Sequence, residues 1–175
     1  MKLISCLFCL GLMFVAVDAL AQTRAGGNDR PASIDWFGTR SRVVQADIDS
    51  SIRVREYSVV QIRQLLSKML MVDQLYRDSL MSVPGTDKRY LAYAAKVQAN
   101  DKANQAILAK IIAQMGWPKL SVVGMEGVNA AWIIVWHANR PYQDRYFPLI
   151  EKAYHSGEIP DTYFKTLERE LAEAP

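Results

Sequence analysis

Apolar residues recur at spacings of three and four along most of the chain from residue 57 onward. This periodicity places them on one face of an α-helix and is typical of a helix that buries one side. The first apolar stripe covers residues 59–81 and the second covers residues 88–115. The Pro84-Gly85 pair between them is typical of a turn. The pattern therefore predicts two long helices joined by a short connection.

The middle of the chain predicts a sharp corner followed by a buried helix. Gly116 is a typical helix terminator, and Pro118 prevents the helix from continuing. Gly124 then opens a third helix over residues 124–139, which is apolar on nearly every side.

Two amphipathic segments complete the pattern, from about residue 139 to residue 155 and from about residue 161 onward. The Ser156-Gly157 pair marks the corner between them. Five helices with short links predict a compact all-α bundle over residues 57–175.

The first 21 residues have the pattern of a cleaved signal peptide. An apolar run over residues 7–17 is followed by Ala19-Leu20-Ala21, which supplies the small side chains that a signal peptidase reads. We expect export to the periplasm or outside the cell, with Gln22 as the new N-terminus. No membrane span is expected after cleavage, because the run is shorter than the roughly 20 residues that a spanning helix needs.

Residues 22–56 predict a flexible, weakly structured N-terminal arm, in which the Trp36-Phe37 pair is a candidate for docking on a partner. Both cysteines, Cys6 and Cys9, lie within the predicted signal peptide. The exported chain therefore has no cysteine and no disulfide, and its stability must come from packing.

Composition and motifs exclude several functional classes. The net charge is only +3 and the basic residues are scattered, so nucleic acid is not an expected partner. The sequence contains no G-x-S-x-G nucleophile motif and no glycine-rich phosphate loop. Its only histidines, His137 and His155, have no metal-binding spacing, so neither a metal nor another cofactor is expected.

Polar side chains interrupt both of the first two apolar stripes. At 100° per residue, Asp73 falls within the first stripe and Arg77 on its flank, while Asp101 falls within the second. Burying an unpaired carboxylate is costly, so these groups need partners. We predict that they meet in an inter-helix polar pocket. The candidate ligand-binding residues are Asp73, Gln74, Arg77, Asp101, Asn104, Trp117, His137 and Gln143.

Three functions are consistent with such a pocket. In the first, it binds a small polar ligand or a peptide: Arg77 holds an anionic group, Asp73 and Asp101 orient it, and Trp117 and His137 line the wall. In the second, His137 works with Asp73 or Asp101 as the catalytic acid–base pair of a hydrolase-like enzyme, because a carboxylate can orient an imidazole. In the third, the polar set is a structural network and the protein acts through its arm.

Several short motifs follow one another in a specific order over about residues 65–167. They are Asp73-Gln74-x-x-Arg77, Asp101 with Asn104, Gly116-Trp117-Pro118, Val123-Gly124, His137-Ala138, Gln143 and Gly157-Glu158. Together they resemble a bacterial family known as domain of unknown function 6624. The resemblance supports the helical fold and the choice of residues, and it implies no activity.

The C-terminal region departs from the pattern of that family. Members typically continue with an Asp-Arg pair, a glycine and a Tyr-Gly-Thr-Gln-like tail. Here Leu167-Glu168-Arg169-Glu170 stands at the Asp-Arg position, and no such tail precedes Pro175. If that tail closes over the pocket in relatives, the resemblance implies an open, altered or inactive pocket in this chain.

Overall fold

The computed structural model describes residues 44–173, which form six α-helices and no β-strand. A short 3-10 turn at Val54–Glu56 comes first. The helices are α1 (Val59–Gln74), α2 (Arg77–Ser82), α3 (Lys88–Met115), α4 (Leu120–Trp136), α5 (Arg140–His155) and α6 (Asp161–Glu173). The predicted all-α fold is confirmed, and α3 has the predicted bounds. The expected signal peptide and the Trp36-Phe37 pair lie outside the described residues.

The first predicted helix is divided in two, so the single helix over residues 59–81 was wrong. The chain leaves α1 after Gln74 and enters α2 at Arg77. At this break the carbonyl oxygen of Val72 accepts a hydrogen bond from the Asn100 side chain of α3 at 3.3 Å. A side chain from another helix thus satisfies a carbonyl near the helix end. The periodicity missed the break because the apolar stripe continues through Tyr76.

Helix α4 contains a kink at Gly124, which has a left-handed φ of 74° that favours glycine. A short helical segment from Leu120 precedes the kink, and the helix predicted to open at Gly124 follows it. It ends at Trp136 rather than at residue 139. The reason is that Asn139 caps the next helix, because its side chain accepts a hydrogen bond from the backbone nitrogen of Tyr142 at 3.2 Å.

The corner between α5 and α6 holds the start of α4 in place. The Glu158 carboxylate accepts hydrogen bonds from the Ser121 backbone nitrogen at 2.8 Å and from the Ser121 hydroxyl at 2.7 Å. The Glu158 carbonyl oxygen also accepts one from the Leu120 nitrogen at 3.1 Å. Since the first nitrogens of a helix have no partner within it, Glu158 serves as a cap from a distant part of the chain.

Residues 44–57 pack on the helices, and we call this segment the strap. It belongs to the predicted arm except for its last residue, but Ile48 and Val54 are buried in the same apolar core as the helices. The Lys110 ammonium on α3 donates to the Ser50 carbonyl oxygen at 2.7 Å. The packed domain therefore extends upstream of the predicted start at residue 57.

The apolar core is formed mainly where α1 and α4 pack together, with α3 beside them. Its fully buried side chains include Leu66, Met69, Ile107, Val128 and Ile134. None of the helices within residues 44–173 is both long and apolar enough to cross a membrane.

The close approach within α4 at Gly127 gives a test of the core. A Cβ atom there would lie 2.7 Å from the Cβ atom of Val123, which cannot swing away because it is the root of its side chain. We expect Gly127→Ala to lower the free energy of unfolding by about 1–3 kcal/mol in urea denaturation, because overpacking outweighs the higher helix propensity of alanine.

Gly85→Ala is the control for this prediction. A Cβ atom at Gly85 meets nothing within 4 Å, so we expect a change of no more than about 1 kcal/mol, and in the stabilising direction. Equal stability of Gly127→Ala and the wild type would contradict the tight packing at this position.

Candidate functional site

The site is built around Asp73, a carboxylate buried in the last turn of α1 with only 2% of the residue exposed. His137 Nδ1 lies 3.0 Å from Oδ2 and 3.2 Å from Oδ1 of Asp73. Arg77 donates to the same carboxylate from Nη2 at 3.0 Å and from Nε at 3.2 Å. The Gln74 amide donates to it at 2.6 Å. Three side chains thus satisfy one buried charge.

Arg77 joins Asp73 to a second carboxylate. Its Nη2 atom also donates to Asp101 Oδ1 on α3. The side chains of Arg77 and Asp101 are 13% and 19% exposed, so this second ion pair lies nearer the surface than Asp73 does. The structure therefore brings together Asp73, Gln74, Arg77, Asp101 and His137, which we call the Asp73 cluster.

Four helices supply this cluster, and α1, α2 and α4 do so at their ends, while Asp101 lies within α3. Asp73 is the last residue but one of α1, and Arg77 is the first residue of α2. His137 directly follows α4. Because α1 packs on α4, the two C-terminal ends lie close together and the side chains of Asp73 and His137 meet.

The two carboxylates of the cluster differ in their pKa. Burial by itself would raise the pKa of Asp73, but hydrogen bonds from His137 and Arg77 outweigh it and hold the pKa below its usual value of 3.8. Burial dominates at Asp101 and, helped by the nearby Asp73 charge, raises its pKa to about 6 although Arg77 opposes the shift. Asp73 is therefore the carboxylate of the cluster that stays ionised.

The hydrogen bond to Asp73 determines which nitrogen of the His137 ring carries the proton and which is left for another partner. An ionised carboxylate only accepts hydrogen bonds, so Nδ1 of His137 carries the proton. The other ring nitrogen, Nε2, has no hydrogen-bond partner in residues 44–173, and 9% of the side chain is exposed. In the neutral ring, Nε2 is an acceptor with a fixed orientation.

Two further predicted site residues, Asn104 and Gln143, form hydrogen bonds with backbone atoms near the cluster and not with the side chains of the cluster. Asn104 on α3 donates from Nδ2 to the Met69 carbonyl oxygen at 3.1 Å, one turn before Asp73. Gln143 on α5 donates to the carbonyl oxygen of Trp136 at 3.1 Å, next to His137. Both are buried, so they hold the last two turns of α1 and the end of α4 near the cluster.

Trp117 is not part of the cluster in this structure. It is buried in the apolar core at the corner between α3 and α4. Its Nε1 atom is buried without a hydrogen-bond partner among the residues described. Within the same residues it makes no hydrogen bond and no ring contact with the cluster.

Sequence reasoning missed Asn100, which is 1% exposed and lies next to Asp101 on α3. The signal was present in the spacing: Asn100 stands three residues after Val97 and four residues before Asn104, on the buried face of the helix. Its side chain binds backbone atoms of α1 and of the strap.

Residues 60–170 match the model of a family of unknown function, DUF6624. The chain belongs to this family. No curated protein and no solved structure matches the chain. All five members of the Asp73 cluster lie within the matched range, so the cluster is a feature of the DUF6624 part of the chain.

The DUF6624 domain presents hydrogen-bonding groups at this site rather than a set of metal ligands. Over residues 44–173, no three His, Cys, Asp or Glu side chains are placed to hold a metal ion. The cluster combines a permanent carboxylate, a carboxyl that titrates near pH 6, a guanidinium and an imidazole. This arrangement can bind a polar molecule or move a proton at Nε2.

The raised pKa of Asp101 predicts how stability changes with pH. The folded protein holds the Asp101 proton up to about pH 6, whereas the unfolded chain releases it near pH 3.8. This contribution is therefore full below pH 3.8 and is lost as the pH rises through 6. The unfolding free energy of the wild type minus that of Asp101→Asn should fall by about 2–3 kcal/mol between pH 4 and pH 7.

Urea denaturation of both proteins at several pH values measures this difference. The titration of groups far from Asp101 cancels in the subtraction, because Asp101→Asn leaves them in place. A difference that stays constant or grows toward pH 7 would contradict the assigned direction.

Proposed function

We propose that this DUF6624 chain is an exported domain that binds a small polar ligand at the Asp73 cluster, with His137 as the main contact. The observation that supports the proposal is the orientation and partial exposure of the His137 side chain. Asp73 holds Nδ1 at 3.0 Å, while Nε2 lacks a partner in the described part of the chain and the ring is partly exposed. A ligand can therefore meet an acceptor whose orientation is already fixed.

The exposed edge of the cluster offers further contacts. Gln74 is exposed on α1, and Asp101 presents a carboxylate that is only partly covered. Gln74 uses its amide nitrogen on Asp73, which leaves its carbonyl oxygen for a donor. Three acceptors, from His137, Gln74 and Asp101, thus belong to the same cluster.

The charge of the cluster favours a neutral or cationic ligand. Arg77 was expected to hold an anionic group, but its Nε and Nη2 atoms already serve Asp73, and Nη2 also serves Asp101. Two carboxylates face one guanidinium, so an added anion would meet no uncompensated positive charge when His137 is neutral. Ligands that donate hydrogen bonds, such as amines, amides and polyols, or a basic peptide side chain, match the free acceptors.

Acid–base catalysis is the second candidate function. The same contact favours it, because an ionised carboxylate at Nδ1 orients the ring and stabilises the imidazolium that forms when Nε2 takes a proton. His137 would be the general base and Asp73 its positioning partner. Asp101 reaches Asp73 through Arg77, so the structure favours Asp73 over Asp101 as the carboxylate that serves His137.

A ligand screen with matched histidine variants tests the binding proposal. The screen follows thermal unfolding of the wild type with neutral, cationic and anionic metabolites. A ligand at 100 times its Kd stabilises the folded state by about 2.7 kcal/mol. We expect a neutral or cationic compound to raise the melting temperature of the wild type and of His155→Gln, and to have no effect on His137→Gln.

His155→Gln is the control because His155 is an exposed histidine at the end of α5, away from the cluster. If His137→Gln keeps the full ligand-induced shift, the ligand binds elsewhere. If His137→Gln loses several kcal/mol of stability and no compound shifts the wild type, the cluster is a structural network.

The two candidate functions differ in the fate of the ligand. Each compound that shifts the wild type is incubated with the protein and examined by mass spectrometry. A product that forms with the wild type and about 10²–10⁴ times more slowly with His137→Gln supports acid–base catalysis. Recovery of the unchanged compound supports binding alone.

Export is proposed from the N-terminal sequence, and it has its own test. The full chain, produced in a bacterium with a general secretion pathway, should appear in the periplasm or medium with Gln22 as its first residue by mass spectrometry. Ala21→Arg places a large charge at the predicted cleavage point and should leave the precursor uncleaved. A wild-type protein that retains residues 1–21 in the cytosol would contradict export.

A further inference from the structure

The strap contacts α3 directly beside the Asp73 cluster. The Asp47 backbone nitrogen donates to Oδ1 of Asn100 at 2.8 Å. The Nδ2 atom of the same amide donates to the Val72 carbonyl oxygen at 3.3 Å. Val72 immediately precedes Asp73, so a single buried side chain connects the strap to the last turn of α1.

A second set of contacts, made by Lys96, also connects the strap to the end of α1. The Lys96 ammonium on α3 donates to the Gln45 carbonyl oxygen at 2.9 Å and pairs with the Asp47 carboxylate at 3.0 Å. It also lies 5.7 Å from the centroid of the Tyr76 ring, within the range of a cation–π contact. Both routes from the strap therefore end at the break between α1 and α2, which separates Asp73 from Arg77.

We propose that Asn100 is a positioning residue that couples the docking of the strap to the geometry of Asp73, Arg77 and His137. The strap is then a conformational control of the site. When it is docked, the end of α1 is held in the arrangement described above; when it is released, the end of α1 loosens and the His137 ring loses its fixed partner.

The side-chain amide of Asn100 links the strap and α1 because each of its two polar atoms binds one of them. Asn100 uses its oxygen for the strap and its nitrogen for α1, and only one orientation of the amide satisfies both. With 1% of the residue exposed, water does not readily replace either partner. Loss of the Asp47 nitrogen leaves the Asn100 oxygen buried and unpaired, which favours reorientation of the amide and loss of the bond to Val72.

The far end of the strap lacks this connection. Lys110 holds the Ser50 and Ile52 carbonyl oxygens, and Val54 is buried in the core. Lys110 lies ten residues from Asn100, or about 15 Å along α3 at 1.5 Å per residue. Strap residues near Asp47 should therefore affect the site more than those near Val54.

This inference rests on the proposed function, because it concerns control of the same site. The test uses no ligand and reads the His137 ring and the end of α1 directly. The coupling can therefore fail while binding is real, and the coupling can hold even if no ligand is found.

Nuclear magnetic resonance of the full chain tests the coupling. The variants are Asn100→Leu, which removes both bonds with little change in size, and Ile48→Ala, which weakens the strap next to Asp47. Val54→Ala is the control at the far end. The readouts are the imidazole nitrogen and Nδ1 proton signals of His137, and amide exchange in the last turn of α1 and at Asp47.

We expect Asn100→Leu and Ile48→Ala to shift the His137 signals and to speed exchange at Asp47 and at the end of α1 by at least about tenfold. Val54→Ala should leave the His137 signals and the end of α1 unchanged. The indole proton of Trp132, which donates to the Tyr163 carbonyl oxygen at 3.0 Å, reports that the rest of the fold is intact.

Lys96→Met provides a milder release of the strap if Ile48→Ala does not fold, because the Lys96 side chain is 31% exposed and its replacement leaves no cavity. The coupling is overturned if exchange at Asp47 rises tenfold while the His137 signals and the end of α1 stay as in the wild type. It is equally overturned if Val54→Ala changes them as much as Ile48→Ala does.

Discussion

The structure depends on how one buried carboxylate is kept charged. Placing Asp73 inside a helical core costs several kcal/mol unless donors replace the water that it loses. Here His137, Arg77 and Gln74 supply them, and together they hold the Asp73 pKa below its usual value despite burial. Because His137 follows α4 and Arg77 begins α2, satisfying this charge requires three helix ends to meet at one point.

The location of the cluster at helix C-termini adds a constraint. The C-terminal end of a helix carries a partial negative charge, which disfavours a carboxylate and favours a cation. Both α1 and α4 end at the cluster, and Asp73 adds a full negative charge. Arg77 compensates part of this excess, and Asn100 and Gln143 satisfy the Val72 and Trp136 carbonyl oxygens. The same field is the physical basis of the proposed preference for a neutral or cationic ligand over an anion.

The sequence predicted the parts of this arrangement that follow from local periodicity. The apolar stripe of residues 88–115 predicted α3 to the residue, and polar residues on apolar faces predicted that Asp73, Arg77 and Asp101 need partners. The break after Gln74 could not be predicted from local periodicity, because the side chain that satisfies the Val72 carbonyl oxygen there comes from Asn100 on another helix. The strap was equally hidden, since it is held by side chains of α3 and by the burial of Ile48 and Val54 in the core that the helices form.

A structural network and the proposed binding site are not opposed in this protein, because the same contacts would serve both. Every bond that stabilises Asp73 also restricts the His137 ring, and a restricted ring binds a ligand without losing further conformational entropy. What separates the two interpretations is a single atom. If the cluster served packing alone, Nε2 of His137 could be exchanged for any group that leaves Nδ1 and Asp73 paired. The partial exposure of the side chain, with Nε2 lacking a partner in residues 44–173, instead leaves an oriented ring nitrogen at the Asp73 cluster that packing alone does not require.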